Sequence, residues 1–239
     1  MRIKIVEPVI LDESEILQEY KYLKERIDPG TEIDFAAIEH GFKSIETELH
    51  IIFNNPEIIL KAKKAEEDGY DGVFINCFAD PGVHAAREAI KIPVYGGFLP
   101  SLLTAASLTG KACIIATDEN GVKLVRRNLR SYGLSNGVGA IKNVGLGVLE
   151  LNNRQVLLER LMNNCTEVIE KSGINVFIFG CTGMSYIAEE LRAGLKGRGY
   201  TATVIEPLET GVRYLEYLLG LGLTNSLPYR ASLDTLNWR

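Results

Sequence analysis

The chain has 239 residues, 46% of them hydrophobic, and a net charge of −5, which is enough apolar material for one large domain or two smaller ones. Acids and bases are interspersed, so no basic stripe speaks for nucleic acid. No apolar run reaches the roughly 18–20 residues that span a bilayer, and Met1 to Val6 reads as a first strand rather than a signal peptide. The expectation is a soluble, cytoplasmic protein with no membrane or nucleic-acid partner.

Residues 2–7 read as a buried strand, and 13–26 as an amphipathic helix with Ile16, Leu17, Tyr20 and Leu23 on one face. Asp28-Pro29-Gly30 is a turn before a second strand at 31–38. Asn55-Pro56 reads as the opening of a helix to Asp68, with Pro56 in its first turn. Gly69 ends it, strand 72–77 leads to Cys77, helix 83–90 follows, and a short strand at 92–95 runs into Gly96-Gly97. Residues 99–108 read as a helix.

The pattern then restarts: strand 111–117, a helix capped by Asp118 and running to Tyr132, a weaker strand at 138–142, and a Gly-rich loop. Helix 154–171, strand 174–180 ending before Cys181, helix 184–196, strand 201–205 and a closing helix at 208–219 complete it. Such alternation predicts an α/β fold with mostly parallel sheets covered on both faces. The restart predicts two pseudo-symmetric halves, 1–98 with 208–239 and 99–207, with the site between them. Residues 225–239 read as a tail packed on the body or on a partner.

Two cysteines sit in matching frames, Gly69 to Cys77 and Gly173 to Cys181, each with Gly eight residues before Cys and an apolar strand between. Ligands in open α/β sheets bind beyond the carboxyl ends of strands. Two thiols at equivalent strand ends are what a racemase without a cofactor requires: one group removes a proton next to a carbonyl and another delivers one to the opposite face. Backbone N–H groups in the turns and helix starts after each Cys would favour thiolate or enolate.

Cys113, inside an apolar strand, and Cys165, inside a helix, read as structural. No CxxC pair occurs, and three histidines, His40, His50 and His84, give no metal-ligand spacing. Thr117 reads either as a hydrogen-bonding partner for a carboxylate or ureido group or as part of a helix start. Asp80 reads equally as an orienting acid or as part of an Asp-Pro-Gly turn. Arg87-Glu88 reads as a solvated pair. Gly145-Leu146-Gly147 lacks the strand–turn–helix setting of a dinucleotide site.

Cys77-Phe78-Ala79-Asp80-Pro81-Gly82, then Ile92-Pro93-Val94, then Gly180-Cys181-Thr182-Gly183-Met184 resemble the Asp/Glu/hydantoin racemase superfamily, and within it the hydantoin and allantoin racemase branch. The resemblance implies a cofactor-independent racemase or epimerase, a homo-oligomer acting on a small molecule that is a hydantoin, allantoin or amino-acid-like compound, with Cys77 and Cys181 as the acid–base pair. It implies substrate contacts from Phe78, Ala79, Asp80, Thr182 and Gly183 in the two cysteine motifs. Around the substrate the chain departs from the branch pattern. Glu7-Pro8-Val9 stands where an Asn-Pro-Asn turn is usual, Ser44-Ile45-Glu46 follows a reduced Gly-Pro segment, and Gly97-Phe98-Leu99 replaces a Glu-Ala loop. Pro8, Ser44, Ile45, Gly97 and Phe98 are therefore also expected at the substrate. The alternatives are a malonate decarboxylase or maleate isomerase on the same scaffold, or a non-catalytic sensor of a small ligand.

Overall fold

The computed structural model describes residues 1–226 and 231–233. The first sheet is built from β1 (Arg2–Glu7), β2 (Glu32–Ala37), β3 (Gly72–Ile75) and β4 (Val94–Gly96), in the order β2-β1-β3-β4. The second uses β5 (Ala112–Ala116), β6 (Val138–Asn143), β7 (Val176–Phe179) and β8 (Thr203–Ile205), in the order β6-β5-β7-β8. Every pairing in both sheets is parallel. The two sheets therefore repeat one topology, and β3 and β7 hold equivalent inner positions.

Helices cover both faces of each sheet, as buried parallel strands require. α1 (Glu13–Lys24), α2 (Glu48–Glu67) and α3 (Val83–Ala89) belong to the first run, followed by α4 (Phe98–Leu108) and α5 (Glu119–Ser131). α6 (Arg154–Ser172), α7 (Ala188–Gly197) and α8 (Pro207–Gly220) complete the set. Strand alternation divides the core: Val73 and Ile75 pack with Ile58 and Val83 on one face, while Phe74 packs with Leu208, Val212 and Leu215 of α8 on the other. In the second sheet Cys113, Phe177 and Phe179 pack with Leu161 and Cys165, and Ile114 and Ile178 pack with Phe98 and Leu102 of α4. So α4 covers the second sheet, α8 the first, and each crosses from the strand before it to the opposite sheet.

Three local expectations change. α2 begins at Glu48, capped by Thr47, and runs through Pro56. The carbonyl that Pro56 leaves without an N–H belongs to Ile52, which is exposed, while Ile51, Ile58 and Ala62 keep the inner face buried. On α1 the buried apolar residue is Leu23; Leu17 and Tyr20 are 51% and 38% exposed, and Glu19 points inward instead. Arg87 is not a solvated partner of Glu88: its Nε donates to the Val94 carbonyl at 2.8 Å and its guanidinium lies over Tyr95.

Of the expected tail, residues 227–230 and 234–239 lie outside the described residues. Asn225 Nδ2 donates to the Ile92 carbonyl at 2.6 Å and the Ala231 N–H to Glu88 at 3.0 Å. No helix among the described residues is long and apolar enough to cross a membrane.

Candidate active site

Each frame begins with a left-handed glycine at a helix end, Gly69 at φ 76° and Gly173 at φ 71°, which turns the chain into a strand. Each strand stops just short of its cysteine. Cys77 and Cys181 are both half-buried and unpaired, and both line one cavity of about 30 Å³. Ile45, Phe78, Ala79, Gly121, Leu124, Val125, Thr117, Val148 and Gly180 complete its wall. That volume holds about one water, so the walls must part to admit a substrate.

The tightness has a visible cause at Gly180. A Cβ there would sit 2.8 Å from Ala116 Cα, so only glycine lets β7 approach β5 beside the thiols. Thr117 follows β5, and Asp118 caps α5 through its side chain, accepting from the Gly121 N–H at 2.9 Å. α5 thereby presents Leu124 and Val125 to the cavity.

The amides near the thiols come from tight turns rather than from α-helix starts. The Ala79 N–H donates to Cys77 Sγ at 3.4 Å. Cys181 leads into a 3₁₀ turn at Thr182–Ile187, and α7 starts only after it. Burial pushes the Cys77 thiol well above the ordinary range; the neighbouring Cys181, Asp80 and Glu7 add to this and the Ala79 amide opposes it. Burial also raises Cys181, to about 11, with the Gly183 amide opposing and Glu19 and Glu46 adding. Cys113 and Cys165 are fully buried in one hydrophobic cluster.

The expected substrate residues divide. Ile45, Phe78, Ala79 and Thr117 meet the two thiols in the cavity. Asp80 lies behind it, at a left-handed φ of 50°. Its Oδ1 accepts from the Phe98 N–H at 3.0 Å and its Oδ2 from the Tyr132 hydroxyl at 2.7 Å. Burial raises its carboxyl to about 6 despite those donors. Phe98 is fully buried against Phe78, ring centroids 5.0 Å apart. The Gly97 N–H donates to the Cys77 carbonyl at 3.0 Å. The Thr182 hydroxyl donates to the Asn76 carbonyl at 3.3 Å, and Gly183 is exposed beside Cys181. Pro8 is buried with its carbonyl accepting from Asn54 Nδ2 at 2.8 Å, and Ser44 is buried next to Ile45.

Leu124, Val125, Gly121 and Val148 are wall residues that sequence reasoning did not single out. Apolar spacing on a helix reads the same whether the face meets a core or a cavity. Among the described residues no group of three or more His, Cys, Asp and Glu is arranged to hold a metal, and no lining side chain of the cavity is a Lys, Arg or His.

A family model described as Asp/Glu/Hydantoin racemase matches residues 20–215. The chain belongs to that family. It is a racemase, an isomerase, of the hydantoin and allantoin type. It is 28% identical over 197 residues to a hydantoin racemase of Pseudomonas sp. (strain NS671), covering 82% of this chain and 77% of that one. It is 30% identical over 172 residues to a hydantoin racemase of Rhizobium meliloti, covering 72% and 69%. The solved allantoin racemase from Klebsiella pneumoniae superposes with a TM-score of 0.86 at 26% identity, over 95% of this chain and 90% of that one. The paired parallel sheets are the fold that this likeness shows.

Proposed function

We propose that this racemase inverts a stereocentre next to a carbonyl in an uncharged cyclic ureide, a 5-substituted hydantoin or allantoin, using Cys77 and Cys181 and no cofactor. The observation that carries the reading is the shared cavity with one thiol on each wall. One cysteine, as thiolate, takes the proton from the ring carbon and becomes a thiol. The electron pair moves into the adjacent carbonyl as an enolate. The opposite thiol then donates its proton to the other face and becomes the thiolate, so the enzyme ends with the two protonation states exchanged. Turn amides beside the thiols favour the thiolate form at each stage.

Charge supports the substrate class. The thiols feel Glu7, Asp80, Glu19 and Glu46, and no cationic side chain lines the cavity. A substrate bearing a carboxylate, such as aspartate, glutamate or a malonate, would meet like charge; a neutral ring with N–H donors would not. In this reading Ile45, Phe78, Ala79 and Thr117 touch the ring. Pro8, Ser44, Asp80, Gly97, Phe98, Thr182 and Gly183 come within its surroundings as the walls part.

The halves are 1–98 with 208–239 and 99–207, and the substrate lies between them. The reading extends to a cytoplasmic homo-oligomer: four unpaired thiols suit a reducing compartment, and Leu49, Ile52 and Phe53 give α2 an exposed apolar face. The experiment is proton NMR in deuterated buffer with pure enantiomers of hydantoins, allantoin, aspartate and glutamate. Loss of the α-proton signal with inversion of the cyclic ureides alone is the expected result. Exchange of the amino acids but not the ureides would overturn the substrate class, and no exchange of any compound by folded protein would overturn racemisation of these substrates.

A further inference from the structure

Beside the thiols lies a carboxyl pair, one member buried and the other half-buried, that the two-thiol reaction does not use. Glu7 ends β1 and is 2% exposed; Glu19 reaches it from α1. Both converge on one nitrogen. Asn76 Nδ2 stands 2.9 and 3.1 Å from the two oxygens of Glu7 and 2.5 Å from Glu19 Oε2. An amide nitrogen carries two hydrogens, so it cannot satisfy three carboxylate oxygens. Two carboxyls this close do not both ionise at moderate cost; one keeps a proton and donates it to the other.

Asn76 is also the junction of the two cysteine segments. It immediately precedes Cys77, its N–H donates to the Val6 carbonyl at 2.9 Å, and its carbonyl accepts from Thr182, the residue after Cys181. α1 reaches the Cys181 side independently. The Tyr22 hydroxyl donates to the Ser185 carbonyl at 3.2 Å, the Tyr22 ring meets Tyr186 edge-on at 4.7 Å, and Arg26 pairs with Glu189 at 3.3 Å. α1 is held by Leu23 in the core and by these contacts, and it also turns Glu19 inward to Asn76.

We propose that Glu7 and Glu19 act as one positioning unit: a carboxyl pair that shares a single proton and, through Asn76, fixes where the Cys77 and Cys181 segments stand relative to each other. The proposal rests on the two-thiol reading for its effect on turnover. Burial raises both carboxyls above their ordinary range, and their mutual repulsion raises Glu7 further. The groups facing the pair are Glu15 on α1, Cys77 and Asn76 after β3, and Cys181 and Tyr186 around the 3₁₀ turn. None of these is a cation, so alkali that removes the shared proton leaves two unneutralised charges and loosens the junction.

The test uses the full chain and the Glu7→Gln, Glu19→Gln and Glu19→Ala variants. Infrared spectra at alkaline pH, where Asp80 is already ionised, should show a protonated-carboxyl band in the wild type that is lost in each Gln variant. Glu19→Ala should lower kcat on a hydantoin about ten- to a hundredfold, the scale of a misplaced reacting group, with KM moving less than about threefold. Glu19→Gln should restore part of that kcat and remove the alkaline inflection that belongs to the pair. Absence of the band in the wild type, its persistence in both Gln variants, or wild-type kcat in Glu19→Ala would each overturn the proposal. If no hydantoin is turned over at all, the spectra and the alkylation rates of Cys77 and Cys181 still decide it without substrate. Unchanged alkylation rates in Glu19→Ala would overturn the positioning role, and a shift in their ratio would support it.

Discussion

The Cys77 wall and the Cys181 wall share a frame and differ in their surroundings. Both cysteines follow the inner strand of a four-stranded parallel sheet, eight residues after a left-handed glycine. At Cys77 one turn amide meets the thiol, and the other thiol and two acids stand against its ionisation. At Cys181 the Gly183 and Met184 amides both favour thiolate, and the thiol is raised only to about 11. Duplicated topology gives two equivalent positions; burial raises both thiols, and the turn amides and nearby acids, Asp80 and Glu7 at one wall and Glu19 and Glu46 at the other, adjust the rise. Cys181 is thus the thiol that ionises more readily, and in the two-thiol reading it is the one that starts as thiolate.

The sharpest way to break the comparison is to remove one wall at a time. Cys77→Ser and Cys181→Ser should each lower racemisation by about 10²–10⁴, the usual worth of a positioned acid or base. Chiral chromatography of each pure enantiomer measures it, and full activity in either variant would refute the two-thiol mechanism. Exchange of the α-proton with deuterium should outlast racemisation, for a different enantiomer in each variant.

Asp80 tests the support behind Cys77. Its carboxyl is raised from an ordinary 3.8 to about 6, so the folded state holds this proton more firmly than the unfolded chain. The sign follows: its contribution to stability is full below 3.8 and falls as pH rises to about 6. The shift corresponds to about 3 kcal/mol. Urea unfolding across that window should show the wild type losing stability relative to Asp80→Asn by that order.

On the opposite wall, Gly180→Ala should destabilise by about 1–3 kcal/mol, because backbone at 2.8 Å cannot yield as a flexible side chain would. Thermal unfolding reads the loss, and a fall in kcat should accompany it as β7 is pushed from β5. The smallest effect concerns the free thiols. Iodoacetamide should label Cys181 about tenfold faster than Cys77 near neutral pH, since thiolate is the nucleophile. Peptide mass spectrometry would show the order, and equal rates would erase the difference between the walls.

Much of the fold could be read from local pattern. Strands such as Ala112–Ala116, caps such as Asp118 and stops such as Gly69 and Gly173 carry their signals within a few residues. Pro56 misled because a proline is tolerated inside a helix when the carbonyl it strands faces water, a fact about the outer surface that spacing does not encode. α1 misled for the complementary reason: Ile16, Leu17, Tyr20 and Leu23 form a plausible buried stripe, yet the helix turns Glu19 inward to Asn76.

The sequence by itself determined the alternation of strands and helices, the duplication, and the two matching cysteine frames, because each is written in short-range periodicity or in contiguous residues. Only the tertiary structure decided that Ile45, Thr117, Leu124 and Val148 share a cavity with both thiols, and that Glu7 and Glu19 meet at Asn76. Those juxtapositions join residues far apart in the chain, and their physical cause is the packing of two sheets whose strand ends face each other, which no local signal specifies.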